Sequence, residues 1–412
     1  MRILLSAYAC EPGIGGEPGI GWHWALELAP LGHEVWVLTH AQNRSAIEAA
    51  LARRPRASNP RFRYYELPAW AGWWQKGRRG LRLYYVLWQW GAYGVAQKLH
   101  AQERFDMVHH ITWGAVRQPS FMGNLAIPLV FGPVGGGETT PWRLRFGYGV
   151  RGWIFEAVRD LSNLLIRVDP LMRRTFRQAR LIYVTSKQTR ACLPRRHWVK
   201  TRVQLAIGSA GAAAPTPTDT SPVQVRGSGL KLLYVGRFLD WKGMHLGLPA
   251  FAGLLKSHPD ARLTLLGNGP DERRWRKLAE HLGISEQTNW ISWITLDELL
   301  KLYRQHDVLL YPSLHDSPGL QIVEAMAHGL PIVCLDLGGT AIVDDTCGRA
   351  IKAAGMSRDA VVNGLAHALT ELAAADISAR TRLARGALLR ARHFDWRTVV
   401  RRAYSEIPAY RP

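Results

Sequence analysis

The 412-residue chain is 47% hydrophobic, enough for two or three ordinary domain cores, and holds no uncharged apolar run of about 18 residues, which excludes a membrane-spanning helix. Lys and Arg number 53 against 32 acids, a formal charge of +21, and there are 17 Trp; such a field attracts phosphorylated substrates, anionic lipid or nucleic acid, but no recognised motif supports a specific nucleic-acid partner. Cys10, Cys192, Cys334 and Cys347 are scattered without zinc or CxxC spacing, as expected for a reduced, cytoplasmic setting.

Residues 1–9 read as a first strand rather than a signal peptide, because the glycine-rich stretch EPGIGGEPGIG, residues 11–21, follows at once. A helix over 22–31 and a strand over 34–39 complete a βαβ unit. The loop between would let backbone N–H groups approach a phosphate at the helix N-terminus. A third strand is expected over 61–67. Residues 70–102 then contain no acid, and Trp73, Trp74, Tyr84, Tyr85, Trp88 and Trp90 sit among Lys76, Arg78, Arg79, Arg82 and Lys98. A basic aromatic helix over 81–100 suits anionic lipid headgroups, each cation adding about 1 kcal/mol near the surface; packing of that helix on the N-terminal sheet is the other reading. A second basic aromatic piece covers 142–153. The strand over 105–112 ends in His109 and His110, one ring turned toward a ligand crevice and one back; a core histidine with a backbone partner is the equal reading for either ring. Glycines 135–137, after a strand over 127–132, would again expose backbone N–H groups. Strands over 181–186 and 202–208 end the first half.

Residues 208–229 are small, polar and proline-rich, and read as a linker. KLLYVGR then opens a second domain with a buried strand ending in Gly236 and Arg237, followed by Lys242, Gly243 and a helix. Arg offers phosphate oxygens a planar fork and Lys a mobile charge. A strand over 262–266 leads into Gly267, Asn268 and Gly269. A helix over 271–282, a strand over 290–293 and a helix over 296–304, capped by Thr295, come next. A strand over 307–311 stops at Pro312. After it come a loop over 313–319, a helix over 320–328 and a strand over 331–335. Asp316 in the loop and Glu324 in the first helical turn, with seven residues between them, would face the crevice beyond the strand ends. Three helices, over 358–373, 378–393 and 396–407, finish the chain. The fold class is therefore α/β, with two doubly wound Rossmann-like domains facing across a cleft: 1–207 and, after the linker, 230–393.

The run Asp316, SPGLQIV, Glu324, AMAHGLP resembles the donor-sugar motif of the family 4 retaining glycosyltransferases, which have the GT-B fold. Their pattern is an acid, seven residues, Glu, then Ala-Met-Ala-x-Gly-x-Pro. The first acid is usually Glu, so Asp316 keeps the charge on a side chain one methylene shorter. GRFLDWKG is similar to the family's G-R-x-x-x-x-K-G element. The first 40 residues and GPVGGGE resemble a branch found in exopolysaccharide and other polysaccharide assembly. HFDWRTVVRRAY resembles the final helix, here within 394–412, which returns to the N-terminal domain.

The resemblance implies roles. Arg237 and Lys242 would clamp the nucleotide diphosphate, and Glu324 would hold the ribose. Asp316 with the backbone of Ser317, Pro318, Gly319 and Leu320 would hold the donor sugar. Gly15 and Gly16 would approach the diphosphate, Gly267 and Asn268 would lie close to the nucleotide, and Trp293 would border the base. His109 or His110, with His109 preferred, would sit near the acceptor hydroxyl. No cofactor or metal is called for, since protein cations take the metal's place. The implied reaction is retaining transfer of a sugar from a nucleotide-diphosphate sugar to a saccharide, in cell-surface polysaccharide synthesis. The basic aromatic stretch points to a lipid-linked acceptor and a peripheral position on an anionic membrane surface, the inner face of the cytoplasmic membrane. The alternatives are an epimerase or hydrolase on the same fold, or a non-catalytic nucleotide-sugar binding protein.

Overall fold

Parallel strands covered on both faces read as apolar runs, and two sets of such runs build this chain. The computed structural model describes residues 1–54, 59–72, 74, 80–209, 229–317 and 319–407. Most of the expected linker, together with Pro318, Trp73, Lys76, Arg78 and Arg79, lies outside these residues. The first set is β1 (Arg2–Ala7), β2 (Glu34–His40), β3 (Arg61–Tyr65), β4 (Met107–Thr112), β5 (Leu129–Val134), β6 (Ala179–Val184) and β7 (Thr201–Val203). They form a seven-stranded sheet in the order β3-β2-β1-β4-β5-β6-β7, with Leu4 opposite Trp36 on one side and Val108 on the other. The second set is β8 (Lys231–Val235), β9 (Arg262–Leu266), β10 (Thr288–Ile291), β11 (Val308–Tyr311), β12 (Ile332–Leu335) and β13 (Gly348–Ile351). Its six strands run β10-β9-β8-β11-β12-β13, the doubly wound order in which the sequence direction reverses between first and fourth strands.

The chain falls into two units. One comprises Met1–Gly137, Leu161–Gly208 and Trp396–Pro412; the other comprises Glu138–Asp160 and Ser209–Asp395. In the first unit the final helix, Trp396–Ser405, is tied to the sheet: the Tyr404 hydroxyl is 2.9 Å from His109 Nδ1. In the second, Leu232, Phe251, Leu310, Val333 and Leu369 are fully buried between the sheet and the helices Met244–Leu255 and Arg358–Ala374.

Several local expectations change. The helix after β1 spans Glu17–Leu28, with Gly16 as its N-cap and Pro18 in its first turn. Half of the expected glycine loop is therefore helix. At buried Gly21 a Cβ would run into the Ala9 carbonyl oxygen, so this glycine serves close packing of the helix on the segment after β1. The triple-glycine segment is engaged internally: the Gly135 N–H donates to Gly114 O at 2.6 Å and the Gly137 N–H to Thr189 Oγ1 at 3.1 Å. The helix Leu81–Glu103 buries Tyr84, Tyr85 and Trp88 against the first sheet, where Tyr8 meets Tyr85 and Trp88 edge-on at 5.1 and 4.9 Å. Its aromatic face is core, and Trp90 stays exposed. Strand β13 and the helices Arg44–Ala52, Val150–Leu165 and Pro170–Gln178 had no counterpart in the sequence reading.

Candidate functional site

At the reversal point of the second sheet, β8 and β11 lie side by side, with Leu233 opposite Leu309. Both end in loops that carry the residues singled out above. After β8, Gly236 donates to Leu266 O at 3.0 Å, Arg237 is exposed, and Phe238 is buried against Trp275 at 4.8 Å. A single 3-10 turn, Asp240–Lys242, leads to Gly243 at φ 76°. A Cβ at Gly243 would collide with the Pro312 carbonyl, so glycine is what lets the two loops close on each other.

The contact they make is an ion pair. Lys242 Nζ lies 2.5 Å from Asp316 Oδ2, with both side chains largely buried. The same Asp316 oxygen accepts from the Tyr311 hydroxyl and from Ser313 Oγ at 2.7 Å, while Lys242 also donates to the Tyr311 oxygen at 3.1 Å. Burial alone would raise the Asp316 carboxyl; the Lys242 charge, with the bonds from Lys242, Tyr311 and Ser313, holds it below its ordinary value. Among the described residues nothing pairs with Asp316 Oδ1 or with the Arg237 guanidinium. One ammonium N–H of Lys242 is likewise uncommitted.

The residues immediately before this pair also meet. The His315 ring stacks on Trp241 with centroids 5.0 Å apart, and the Leu314 N–H donates to Trp241 O at 2.8 Å. His315 Nε2 is 2.7 Å from Oε1 of the fully buried Glu156. Arg145 Nη2 stands 3.7 Å from the other Glu156 oxygen and 2.7 Å from Asp160. Burial would raise the Glu156 carboxyl, but His315, then Arg159 and Arg145, bring it below its ordinary value. On the far side, the Gly339 N–H donates to Asp316 O at 2.7 Å. The loop is thus held from three directions.

Gly319 is the N-cap of the helix Leu320–Ala327, at φ 56°. Glu324 therefore stands beyond the first turn, not within it as expected. It accepts from the Tyr303 hydroxyl at 3.1 Å, and burial pushes its carboxyl up to about 7. Gly267 and Asn268 adjoin the β8 loop: Asn268 O accepts from the Phe238 N–H at 2.8 Å, and a Cβ on Gly267 would strike Gly236 O. Trp293 follows β10 and is 73% exposed. Ser317 and Leu320 flank Pro318, which is outside the described residues.

The remaining expected residues belong to the other unit. Gly15 and Gly16 are exposed just before the helix Glu17–Leu28. His109 and His110 are fully buried. Both His109 ring nitrogens are committed, Nε2 to Gly132 O at 2.6 Å and Nδ1 to Tyr404, and burial lowers its pKa to about 4. His110 Nε2 is 3.2 Å from the Tyr85 hydroxyl, and burial, the larger cause, with the neighbouring His109 lowers its pKa to about 3. In place of an accessible ring at an acceptor hydroxyl, both histidines are neutral core groups, because a strand buried on both faces gives neither side chain a route to solvent.

Tyr303, Tyr311 and the Glu156–His315 pair were not among the expected site residues. Tyr311 closes a strand beside the motif and was within reach; Glu156 is 159 positions from His315, and no local pattern links them.

Residues 218–382 match the family model described as glycosyl transferases group 1. The chain is 33% identical over 172 residues to the glycogen synthase of Mycobacterium tuberculosis, which takes in 41% of this chain and 40% of that protein; it spans between 27% and 40% of the length of the curated relatives it matches. Across 98% of its length it resembles the solved sucrose-phosphate synthase of Thermosynechococcus elongatus (97% of that chain, 18% identity, TM-score 0.59). Anabaena HepE, solved with UDP and glucose, is similar over 98% of both chains, at 16% identity and TM-score 0.56. The fold, two Rossmann-like parallel-sheet domains with helices, is that of the GT-B glycosyltransferases.

Proposed function

We propose that this chain is a glycosyltransferase that moves a sugar, with retention, from a nucleotide-diphosphate sugar to a saccharide acceptor. The observation that carries the reading is the Lys242–Asp316 pair at the reversal point of the second sheet, beside the exposed Arg237. Arg237 and the uncommitted Lys242 N–H offset the charge that grows on the departing diphosphate, so no metal is called for. Asp316 Oδ2 is occupied by three donors; Oδ1 is the atom left to accept from a donor-sugar hydroxyl. Glu324, on the following helix, receives the ribose hydroxyls. The relative solved with UDP and glucose makes a uridine nucleotide sugar the first donor class to try. The acceptor in this reading is lipid-linked, in cell-surface polysaccharide synthesis at the inner face of the cytoplasmic membrane.

The deciding experiment is a thermal-shift panel of nucleotide sugars, followed by product analysis with and without a saccharide acceptor. Stabilisation by one donor, lost in Lys242→Ala, and transfer only with acceptor present are expected. Indifference to every donor overturns the reading. Free sugar or an altered nucleotide sugar without acceptor marks a hydrolase or epimerase.

A further inference from the structure

The helix Val150–Leu165 is turned inside out over its first part. Its charged Glu156 faces inward and is fully buried against His315, and at Gly152 a Cβ would strike the Asp240 carboxylate. The outward face is apolar: Val150 is 78%, Ile154 59% and Val158 57% exposed, three residues at i, i+4 and i+8 on one stripe. Trp153 joins this stripe to the segment before it, with its ring 6.1 Å from Phe146, which lies 5.4 Å from Trp142. Both Phe146 and Trp142 are more than half or half exposed, at 50% and 62%. An apolar surface of this kind, built on a helix that spends its polar residues inward, marks an interaction site.

Charge identifies the partner. Between residues 142 and 158 the one acid is Glu156, which is buried, whereas Arg143 and Arg151 are exposed. A two-fold pairing of this face with a second copy would set these cations against their own kind, and the nearest partly exposed acid on the helix, Asp160, is already paired with Arg145. An anionic bilayer answers both features: tryptophan rings seat at headgroup level and each arginine meets lipid phosphate.

We infer that the surface formed by Trp142, Phe146, Val150, Trp153, Ile154 and Val158 docks on an anionic bilayer, with Arg143 and Arg151 engaging the headgroups. This places the membrane contact of the proposed function on residues 142–158 rather than on the helix Leu81–Glu103, whose aromatic face is core. The full chain is sedimented with phosphatidylcholine vesicles, with or without phosphatidylglycerol, at low salt and with no donor present, so failure here leaves sugar transfer untouched. Wild type should partition onto the anionic vesicles at least tenfold better than onto phosphatidylcholine alone. The doubles Ile154→Ser/Val158→Ser and Arg143→Glu/Arg151→Glu should each lose at least tenfold, with unchanged circular dichroism and Tm. Equal partition of wild type and both variants overturns the inference, as does a solution dimer, seen by light scattering, that Ile154→Ser/Val158→Ser dissolves.

Discussion

Lys242 Nζ and Asp316 Oδ2, 2.5 Å apart, join the loops after β8 and β11, and the Lys242 charge helps to hold the Asp316 carboxyl below its ordinary value. Breaking a buried pair from one side strands the other charge, at a cost of about 3–5 kcal/mol. Asp316→Asn and Lys242→Met should each lower urea-unfolding stability by about that much. The double variant should recover part of it while transferring no sugar. Additive losses in the double variant would mean the two side chains do not couple.

Arg237 presents the opposite case. It is exposed and unpaired among the described residues, so Arg237→Ala should change stability by less than about 0.5 kcal/mol. Donor affinity should fall by about 10- to 100-fold, with a shallower dependence on salt than in the wild type. Isothermal titration at two salt concentrations reads both effects.

Glu324 titrates near neutrality, since burial raises its carboxyl to about 7. A carboxylate accepts from ribose hydroxyls better than a carboxylic acid does, so donor binding should tighten from pH 6 to pH 8. Glu324→Gln should flatten that profile. Stability runs the other way: the folded state keeps this proton while an unfolded Glu loses it, so the contribution of this group falls as pH rises from about 4.5 to about 7.

Glu156 acts at one remove, through His315 and the loop that bears Asp316. Glu156→Gln should raise the donor KM several-fold with a smaller change in kcat, and Glu156→Asp should restore part of it. A loss confined to Tm, with kinetic constants unchanged, would make the contact purely structural.

The two-sheet α/β architecture was legible because buried parallel strands are written as short apolar runs and because glycine and proline mark their ends. Arg237 and Asp316 lie just past the ends of β8 and β11, and Lys242 and Glu324 farther along the same connections, so chain order already puts all four on the segments that follow two neighbouring strands. The helix Leu81–Glu103 misled, because Tyr and Trp that pack on a sheet and those that meet lipid have the same composition. For His109 and His110 the sequence left a crevice and a core reading side by side, since strand alternation says which way a ring points and not what lies above it; burial favours the core.

What the amino-acid order determined by itself was every strand but β13, the linker composition and the charged groups on the connections after β8 and β11. Only tertiary structure decided that Lys242 and Asp316 neutralise each other, that Glu156 reaches His315 from 159 positions away, and that one helix turns its apolar face outward. Those outcomes depend on which surfaces meet once the sheets have formed, and burial and pairing energies of that kind carry no periodic signature along the chain.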